Sequence, residues 1–253
     1  MKTLLVLAFV SLTVPAGAEQ FKYTPVGGAL AVPLSTDNSF FRNPANPAYD
    51  YWNLAPFYVP QRSEAGCSAA AAAMAFNALL NSRRQRGDEE NNITEEELAG
   101  KAFSVKWKAL ISEAGLEGRH GLTLAQLAAA VKEGLAAYGA RGAAVNSVEV
   151  SSQTAAALEN FRKALAGNER DPRDIMLIHF AQDALTGAPG GPYAHISPVG
   201  AYDERTHRVL IMDVDRKWYE PYWAVDTQVF KAMAVQIKNF GHGGYVVIKK
   251  GNQ

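Results

Sequence analysis

The pattern of apolar and polar residues divides the chain into two halves of different character. In the first half, apolar residues form segments of helical length, and two of these begin with a capping box: Thr94 with Glu97, and Thr123 with Gln126. The pattern predicts four helices, over 68–80, 94–101, 123–138 and 154–165. The first half is therefore expected to be mostly helical.

The second half is expected to form strands. A continuous apolar run at 175–180 is typical of a buried strand, and a last strand is predicted at 244–249. Between them, segments 195–202 and 208–214 flank the polar turn Asp203-Glu-Arg-Thr as the two arms of a hairpin do. The fold class that follows is α+β, with a helical N-terminal lobe and an antiparallel β-sheet C-terminal lobe.

The first 18 residues have the three parts of a secretory signal peptide. Lys2 is positive, 4–14 is apolar, and 16–18 is a small-residue ending. The apolar part is shorter than the roughly 20 residues of a membrane-spanning helix. We therefore expect a signal peptide over 1–18 and a secreted, periplasmic protein without membrane insertion after cleavage. Residues 19–60, rich in Pro, Gly, Asn and Tyr, are expected to be an extended lead-in within a single domain over 19–253.

Composition limits the classes of partner. The 253 residues are 48% hydrophobic, which is enough for one globular domain with its own core. Lys plus Arg and Asp plus Glu both number 25, so the formal net charge is zero. Nucleic acids and anionic membranes attract positively charged proteins. We therefore expect a small-molecule partner and no nucleic acid.

Cys67 is the only cysteine of the chain. Exported proteins normally pair their cysteines in disulfides, so an unpaired cysteine is either a small buried apolar residue or a reactive group. Cys67 opens the alanine-rich segment 68–80, and the N-terminus of a helix favours the thiolate that attacks carbonyl carbons. Gln61, six residues earlier, can fold back to donate its amide to an oxyanion. These features favour a nucleophile.

His195 is the best candidate among five histidines for the partner of Cys67. It begins a predicted strand directly after the flexible segment 187–193, so it is expected at a rim of the sheet. The next strand carries Asp213 and Asp215, and a carboxylate there can accept the second imidazole N–H. Both aspartates have the same strand parity, so spacing alone does not choose between them. The remaining histidines are assigned to loops or, at 179, to the core.

A nucleophile on an early helix followed by a histidine on a later strand is the order of papain-like proteins. Three segments resemble those of the phytochelatin synthase family, in its short bacterial form made of the catalytic domain alone. They are Gln61-Arg-Ser-Glu-Ala-Gly-Cys67-Ser, Ala194-His195-Ile-Ser-Pro-Val-Gly-Ala-Tyr202 and Leu210-Ile-Met-Asp213-Val-Asp-Arg216-Lys-Trp-Tyr219-Glu-Pro221-Tyr-Trp223. The resemblance extends over residues 40–249, nearly the whole mature chain.

The resemblance implies a papain-like fold and a catalytic triad of Cys67, His195 and Asp213. Gln61 is implied as an oxyanion donor, and Arg216 and Tyr219 as substrate-binding residues. The implied activity is that of a glutathione γ-glutamylcysteinyltransferase, in which Cys67 releases glycine from glutathione and keeps the γ-glutamylcysteinyl group as a thioester. Water as acceptor gives glutathione hydrolysis, which short bacterial relatives favour, whereas a second glutathione or a metal thiolate gives a longer peptide.

No built-in cofactor or metal site is implied. Heavy-metal ions such as cadmium are expected to act as part of a metal-thiolate substrate or as activators. The sequence leaves open whether the protein forms a homodimer. Ser68 and Ala194 stand where the family has or often has glycine, so the backbone beside the acyl group is expected to be less open. Segment 234–243 has no acidic residue to meet the substrate α-amino group, whereas Lys238 and His242 can meet a carboxylate.

Two other functions remain open. A papain-like peptidase or amidase of other specificity would use the same triad with a different acyl pocket. A non-catalytic thiol-binding or metal-binding exported protein would use Cys67 as a ligand, but one cysteine with scattered histidines lacks the tight spacing of a metal site.

Overall fold

The computed structural model describes residues 31–81, 92–140 and 142–251 of the chain. The expected signal peptide at 1–18, and the lead-in up to residue 30, lie outside these residues. In the described part of the chain, no helix has both the length and the apolar character needed to cross a membrane.

Seven strands form one antiparallel sheet. In chain order they are β1 (Val32–Pro33), β2 (Ala144–Glu149), β3 (Asp174–Ala181), β4 (Ala194–Asp203), β5 (Arg208–Ile211), β6 (Tyr222–Val225) and β7 (Gly244–Lys249). Their order across the sheet is β1-β6-β5-β4-β3-β7-β2. The strand that carries His195, β4, is therefore the central strand.

The described residues also form eight α-helices. They are α1 (Tyr49–Leu54), α2 (Cys67–Asn81), α3 (Glu95–Lys101), α4 (Trp107–Leu110), α5 (Leu124–Ala137), α6 (Ala155–Arg170), α7 (Asp183–Thr186) and α8 (Asp226–Met233). Together with the antiparallel sheet, these helices confirm the α+β class expected from the sequence.

Helices cover both faces of the sheet. On one face, Ile175 and Leu177 of β3 share a core with α2 and α5. On the other face, Met176, Ile178 and Phe180 share a core with α6 and α8. Successive strand residues point to opposite faces, so a strand covered on both sides needs apolar residues at every position. This explains the continuous apolar run that predicts β3.

The alanines of α2 allow it to pack closely from several sides. Ala69, Ala70, Ala71 and Ala72 are all fully buried. The facing helix α5 contributes Gly134, where an added Cβ would lie 2.9 Å from Phe76 and Leu98. Small side chains on both helices therefore bring the two backbones together, and they hold the nucleophile helix rigidly against the sheet.

The two predicted capping boxes are present. Thr94 accepts the backbone N–H of Glu97 and donates its own backbone N–H to the Glu97 side chain, and Thr123 does the same with Gln126. These reciprocal bonds satisfy N–H groups that have no partner within the helix. Both helices consequently begin where the sequence predicts.

Elements that depend on tertiary contacts differ from the prediction. Helix α6 continues five residues past the predicted end at 165, because Asn168 and Glu169 are buried there and Glu169 accepts the Ala48 N–H at 2.9 Å. The described part of the lead-in is not simply extended, since it contains β1, α1 and two 3-10 turns. Contacts between aromatic rings at irregular spacing stabilise this segment, and the ring centres of Phe41 and Tyr51 are 4.3 Å apart.

The hairpin of β4 and β5 positions the site. Asp203 closes its turn by accepting the Arg205 N–H at 3.1 Å and the Thr206 hydroxyl at 2.7 Å. A bulge interrupts the pairing near the end of β5, which stops at 211 rather than at the predicted 214. Asp213 therefore lies just beyond the strand but still beside β4, because the Met212 N–H donates to the Pro198 carbonyl at 2.9 Å.

Candidate active site

Cys67 is the first residue of α2 and is 6% exposed. The first turn is closed by the Gly66 carbonyl, which accepts the N–H groups of Ala69 and Ala70 at 3.0 Å. N–H groups at the start of a helix carry a partial positive charge. The thiol therefore lies where a thiolate, and an oxyanion formed next to it, are both stabilised.

The turn before Cys67 is tightly packed. A Cβ at Gly66 would lie 3.1 Å from the Ser63 carbonyl oxygen and 3.3 Å from Glu95 Oε2, so a larger residue would displace the turn. Glu95 Oε2 also accepts the Arg62 N–H at 3.4 Å. Helix α3 thus supports the segment that leads to the nucleophile, and burial raises the pKa of the Glu95 carboxyl.

Ser68 points away from this turn. It is fully buried, and its Oγ accepts the indole N–H of Trp107 at 2.9 Å. Ser68 thus binds the first residue of helix α4.

Gln61 is fixed by its backbone beside the end of β5. Its N–H donates to the Val214 carbonyl at 2.9 Å, one residue after Asp213. Its side-chain Nε2 makes a long bond of 3.5 Å to the Glu64 carbonyl, and its Oε1 is buried without a hydrogen-bond partner in the described part of the chain. A bond of that length is weak, so a substrate oxygen can replace it.

His195 bridges the thiol and a carboxylate. Its Nε2 lies 2.9 Å from Asp213 Oδ1, and the Cys67 side chain lies close enough to the ring to raise the pKa of His195. Since Nε2 is engaged by Asp213, Nδ1 is the ring nitrogen left for the thiol. Ser197, two residues along the same strand, places its Oγ 3.0 Å from Nε2. The Phe180 ring packs edge-to-face against the imidazole, with the two ring centres 5.6 Å apart, and fixes the plane of the imidazole.

Asp213 is fully buried and is surrounded by donors. Oδ1 accepts the backbone N–H of Asp215 at 2.9 Å in addition to the His195 contact. Oδ2 accepts Gln182 Nε2–H and the Tyr222 hydroxyl, each at 2.9 Å. Both oxygens are thus satisfied as those of an ionised carboxylate.

The charges of this pair favour each other. Burial works against a charged His195, but the negative charge of Asp213, its hydrogen bond and the contact with Cys67 outweigh burial and raise the pKa of His195. Burial likewise opposes ionisation of Asp213, yet His195 and the Gln182 and Asp215 donors leave its pKa below the ordinary value. The geometry therefore supports an imidazolium next to an aspartate and a thiol.

Asp213 and Asp215 lie differently relative to His195. Asp213 contacts His195, whereas Asp215 is half-buried, and its backbone N–H supports Asp213. Arg216 is exposed on the same turn, with its guanidinium 4.8 Å from the centre of the Tyr58 ring. Tyr219 is buried, and its ring centre lies 6.2 Å from that of Tyr222. Arg216 is thus at the surface of the site and Tyr219 inside its wall.

The other histidines are dispersed, although His179 is close to His195. It is fully buried as expected, and in the described ranges its ring nitrogens make no hydrogen bond of good geometry, although the Leu122 backbone interacts with its ring. Burial and the charge of His195 lower its pKa to about 4, so it is a neutral imidazole. His120, His207 and His242 contact the Ser112 carbonyl, Asp226 and the Ala234 carbonyl, respectively.

Sequence reasoning missed four residues of this site. Ser197 follows His195 by two positions on one strand face, a spacing that would have found it. Gln182 and Tyr222 reach Asp213 from other elements, and the Tyr58 hydroxyl donates to the Asp213 carbonyl at 2.5 Å. No local pattern marks these three, because only the folded chain brings them together.

Side chains that could hold a metal ion are not grouped in this way. Within residues 31–81, 92–140 and 142–251, no three histidines, cysteines, aspartates or glutamates are arranged to bind one. The chemistry that the observed groups can perform is attack of a thiolate on a carbonyl carbon, with an imidazolium as proton donor.

The sequence is similar to known proteins over most of this region. Residues 34–242 match the protein family described as phytochelatin synthase. The chain is also 32% identical over 92 residues to the glutathione gamma-glutamylcysteinyltransferase of Schizosaccharomyces pombe. That match covers 36% of this chain and 22% of the yeast protein, so it spans about a fifth of that relative.

Proposed function

Because the chain belongs to the phytochelatin synthase family, we propose that it is a cysteine acyltransferase of the glutathione γ-glutamylcysteinyltransferase type. The observation that carries the proposal is the contact of His195 with both Cys67 and Asp213 at the start of a buried helix. The yeast relative's name supplies the substrate class. We propose glutathione as the acyl donor.

The first step forms a thioester. The Cys67 thiolate attacks the carbonyl carbon of the Cys–Gly amide, and the π electrons of the carbonyl move to its oxygen. Gln61 Nε2–H and the Cys67 backbone N–H stabilise the resulting oxyanion. When the C–N bond breaks, the His195 imidazolium gives its proton to the leaving nitrogen, and glycine departs as an amine.

The second step transfers the acyl group to an acceptor and regenerates the free enzyme. His195, now neutral, removes a proton from the acceptor as it attacks the thioester carbonyl, and the C–S bond breaks to restore the Cys67 thiolate. Water as acceptor yields γ-glutamylcysteine. The amino group of a second glutathione, free or with its thiolate bound to a heavy metal, yields a longer peptide. We propose hydrolysis as the main branch, with metal ions as substrate components or activators.

Two residues at the edge of the site are proposed to bind the substrate. Arg216 is an exposed cation on the turn that carries Asp213, so it can meet a carboxylate of glutathione. Tyr219 lies deeper, in contact with Tyr222, and would form the wall of the acyl pocket. A cation at this position is compatible with a substrate that has two carboxylates.

The proposal is tested by the fate of glutathione. The protein is incubated with glutathione, with and without cadmium, and glycine, γ-glutamylcysteine and longer peptides are followed by mass. We expect glycine release. Without cadmium, the amount of γ-glutamylcysteine should equal the amount of glycine. Protein quenched during turnover should be heavier by one γ-glutamylcysteinyl group. Cys67→Ser should show neither product nor adduct, because its oxygen is a far weaker nucleophile at this site.

Ser63→Ala is the matched control, since it changes an exposed hydroxyl in the same turn and leaves the thiol intact. It should release glycine at the rate of the unchanged protein. A folded protein that releases no glycine and traps no acyl group would overturn the proposal. Cleavage of ordinary peptides without cleavage of glutathione would instead assign a peptidase of other specificity.

A further inference from the structure

The Asp213 carboxylate is held from two elements that the catalytic contacts do not involve. Gln182 lies immediately before α7, and Tyr222 begins β6. Both donate to Oδ2, the oxygen that does not face His195, at 2.9 Å. Asp213 and Tyr222 are fully buried, and Gln182 is almost wholly buried, so water does not compete for these bonds. Charge-assisted hydrogen bonds of this kind are the strong ones.

We propose that Gln182 and Tyr222 are positioning residues that keep Asp213 ionised and directed at His195, and so hold Cys67 and His195 as a thiolate–imidazolium pair. The reasoning uses proton balance. The neutral pair and the ion pair differ only in whether one proton lies on Sγ or on the imidazole. An ionised Asp213 stabilises the second state, and any loss of its charge returns that proton to sulfur.

Both donors are themselves fixed. The Gln182 N–H donates to the Tyr193 carbonyl at 3.0 Å, and its carbonyl accepts the Thr186 hydroxyl at 3.0 Å. These bonds tie Gln182 to the segment that leads into His195. The Tyr222 hydroxyl stays protonated, because burial and the neighbouring Asp213 charge raise its pKa well above the ordinary value. Tyr222 therefore acts as a donor throughout the working pH range.

Other titratable groups face this pair and are common to every variant proposed below. They are Cys67 on α2, His179 on β3, Asp183 on α7, Asp215 and Tyr219 on the turn after β5, and Tyr58 before α2. Asp215 is the nearest rival charge, yet its own pKa is raised by burial. A change caused by Tyr222 or Gln182 can thus be separated from these constant contributions.

The single cysteine makes the test direct. The rate of alkylation of Cys67 by iodoacetamide is measured against pH in the full chain without substrate, so the result does not depend on the proposed activity. Only the assignment of His195 as proton donor rests on the proposed function. We expect Tyr222→Phe and Gln182→Leu each to raise the pH of half-maximal alkylation by on the order of one unit, and the double variant to raise it further.

Tyr202→Phe is the matched control. The Tyr202 hydroxyl also donates to a fully buried aspartate, Asp226, at 3.0 Å, but in a network that does not reach Cys67. Its removal should leave the alkylation profile unchanged. Thermal unfolding shows whether each variant is folded. If Tyr222→Phe does not fold, Gln182→Leu alone provides the test. Profiles of folded Gln182→Leu that coincide with the unchanged protein would overturn the proposal, whether or not glutathione is a substrate.

Discussion

Two buried aspartates at opposite ends of β3 show how different the same side chain becomes in one protein. Asp213 lies near Gln182, just after the end of the strand, and four donors satisfy its two oxygens. Asp50 lies near Asp174, at the start of the strand and roughly 25 Å away by strand rise. Asp50 accepts one bond, from Asn168, and its Oδ1 has no partner among the described residues.

The pKa shifts of these two groups have opposite signs. Burial opposes ionisation of both, but His195 and three further donors leave the pKa of Asp213 lowered. The pKa of Asp50 is raised well above its ordinary value, first by burial and then by the charges of Asp174 and Glu169. Complete burial is common to both, so the donors and neighbouring charges decide which aspartate is ionised.

Replacing Asp213 with asparagine should have the largest effect. The donors surround both oxygens, so in either amide orientation the NH2 group of asparagine faces an N–H or an O–H. Loss of the charge also removes the group that stabilises the imidazolium. We expect Asp213→Asn to lower kcat/KM for glycine release by at least about 100-fold, measured as initial rates with glutathione.

Asp215→Asn is the control for that change, because Asp215 supports the site through its backbone N–H, which asparagine retains. It should lower the same rate by less than about tenfold. If Asp215→Asn were the more harmful substitution, the assignment of Asp213 as the partner of His195 would be wrong.

The opposite end of the sheet should control stability against pH. The pKa of Asp174 and that of Glu169 are both raised to about 7, mainly by burial. Groups whose pKa is higher in the folded chain stabilise it fully below their unfolded values near 4, and this stabilisation is lost as pH rises through 7. The free energy of unfolding should therefore fall between pH 5 and pH 8.

Asp174→Asn should reduce this decrease in the free energy of unfolding by roughly 1–4 kcal/mol. The range follows from about 1.4 kcal/mol for each unit by which the folded and unfolded pKa values differ. Urea unfolding at pH 5, 6, 7 and 8 measures it. Asp171→Asn should flatten the fall less, because Asp171 has a pKa lowered to about 2 by Lys249 and Arg173, is ionised throughout this range, and acts only through its charge beside Asp174. An equal flattening by Asp171→Asn would contradict the assignment.

The two regions also differ in how much of them could be predicted from the sequence. Cys67, His195 and Asp213 stand in short segments with recognisable order, and capping boxes mark the starts of α3 and α5. These features depend on residues close together along the chain. Local hydrogen bonding and strand alternation therefore predict most of the core elements, whereas the choice of Asp213 over Asp215 comes from the resemblance of its segment to a known family.

The surroundings of Asp213 and Asp50 could not be predicted in this way. Gln182 reaches Asp213 across 31 positions, and Asn168 reaches Asp50 across 118. The same long-range contacts extend α6 and give the lead-in its helix, since buried polar groups must find partners wherever the fold brings them. Local patterns predict the elements and the candidate residues, whereas the packed structure determines the charge of those residues.

Replacing Asp50 with asparagine should have the smallest effect on glycine release. It also makes the comparison sharpest, because the chemical change is the same as in Asp213→Asn. Burial raises the pKa of Asp50 well above its ordinary value, so the folded chain disfavours its ionisation, and asparagine keeps an oxygen to accept the Asn168 N–H without adding charge. At pH 4, close to the pKa of an unfolded aspartate, the free energy of unfolding should change by less than about 1 kcal/mol, and glycine release near neutral pH should be unchanged. At pH 8 the variant should be the more stable protein, since it removes a carboxyl that resists ionisation. A loss of stability at pH 8 would show that Asp50 is ionised in the folded chain, as Asp213 is.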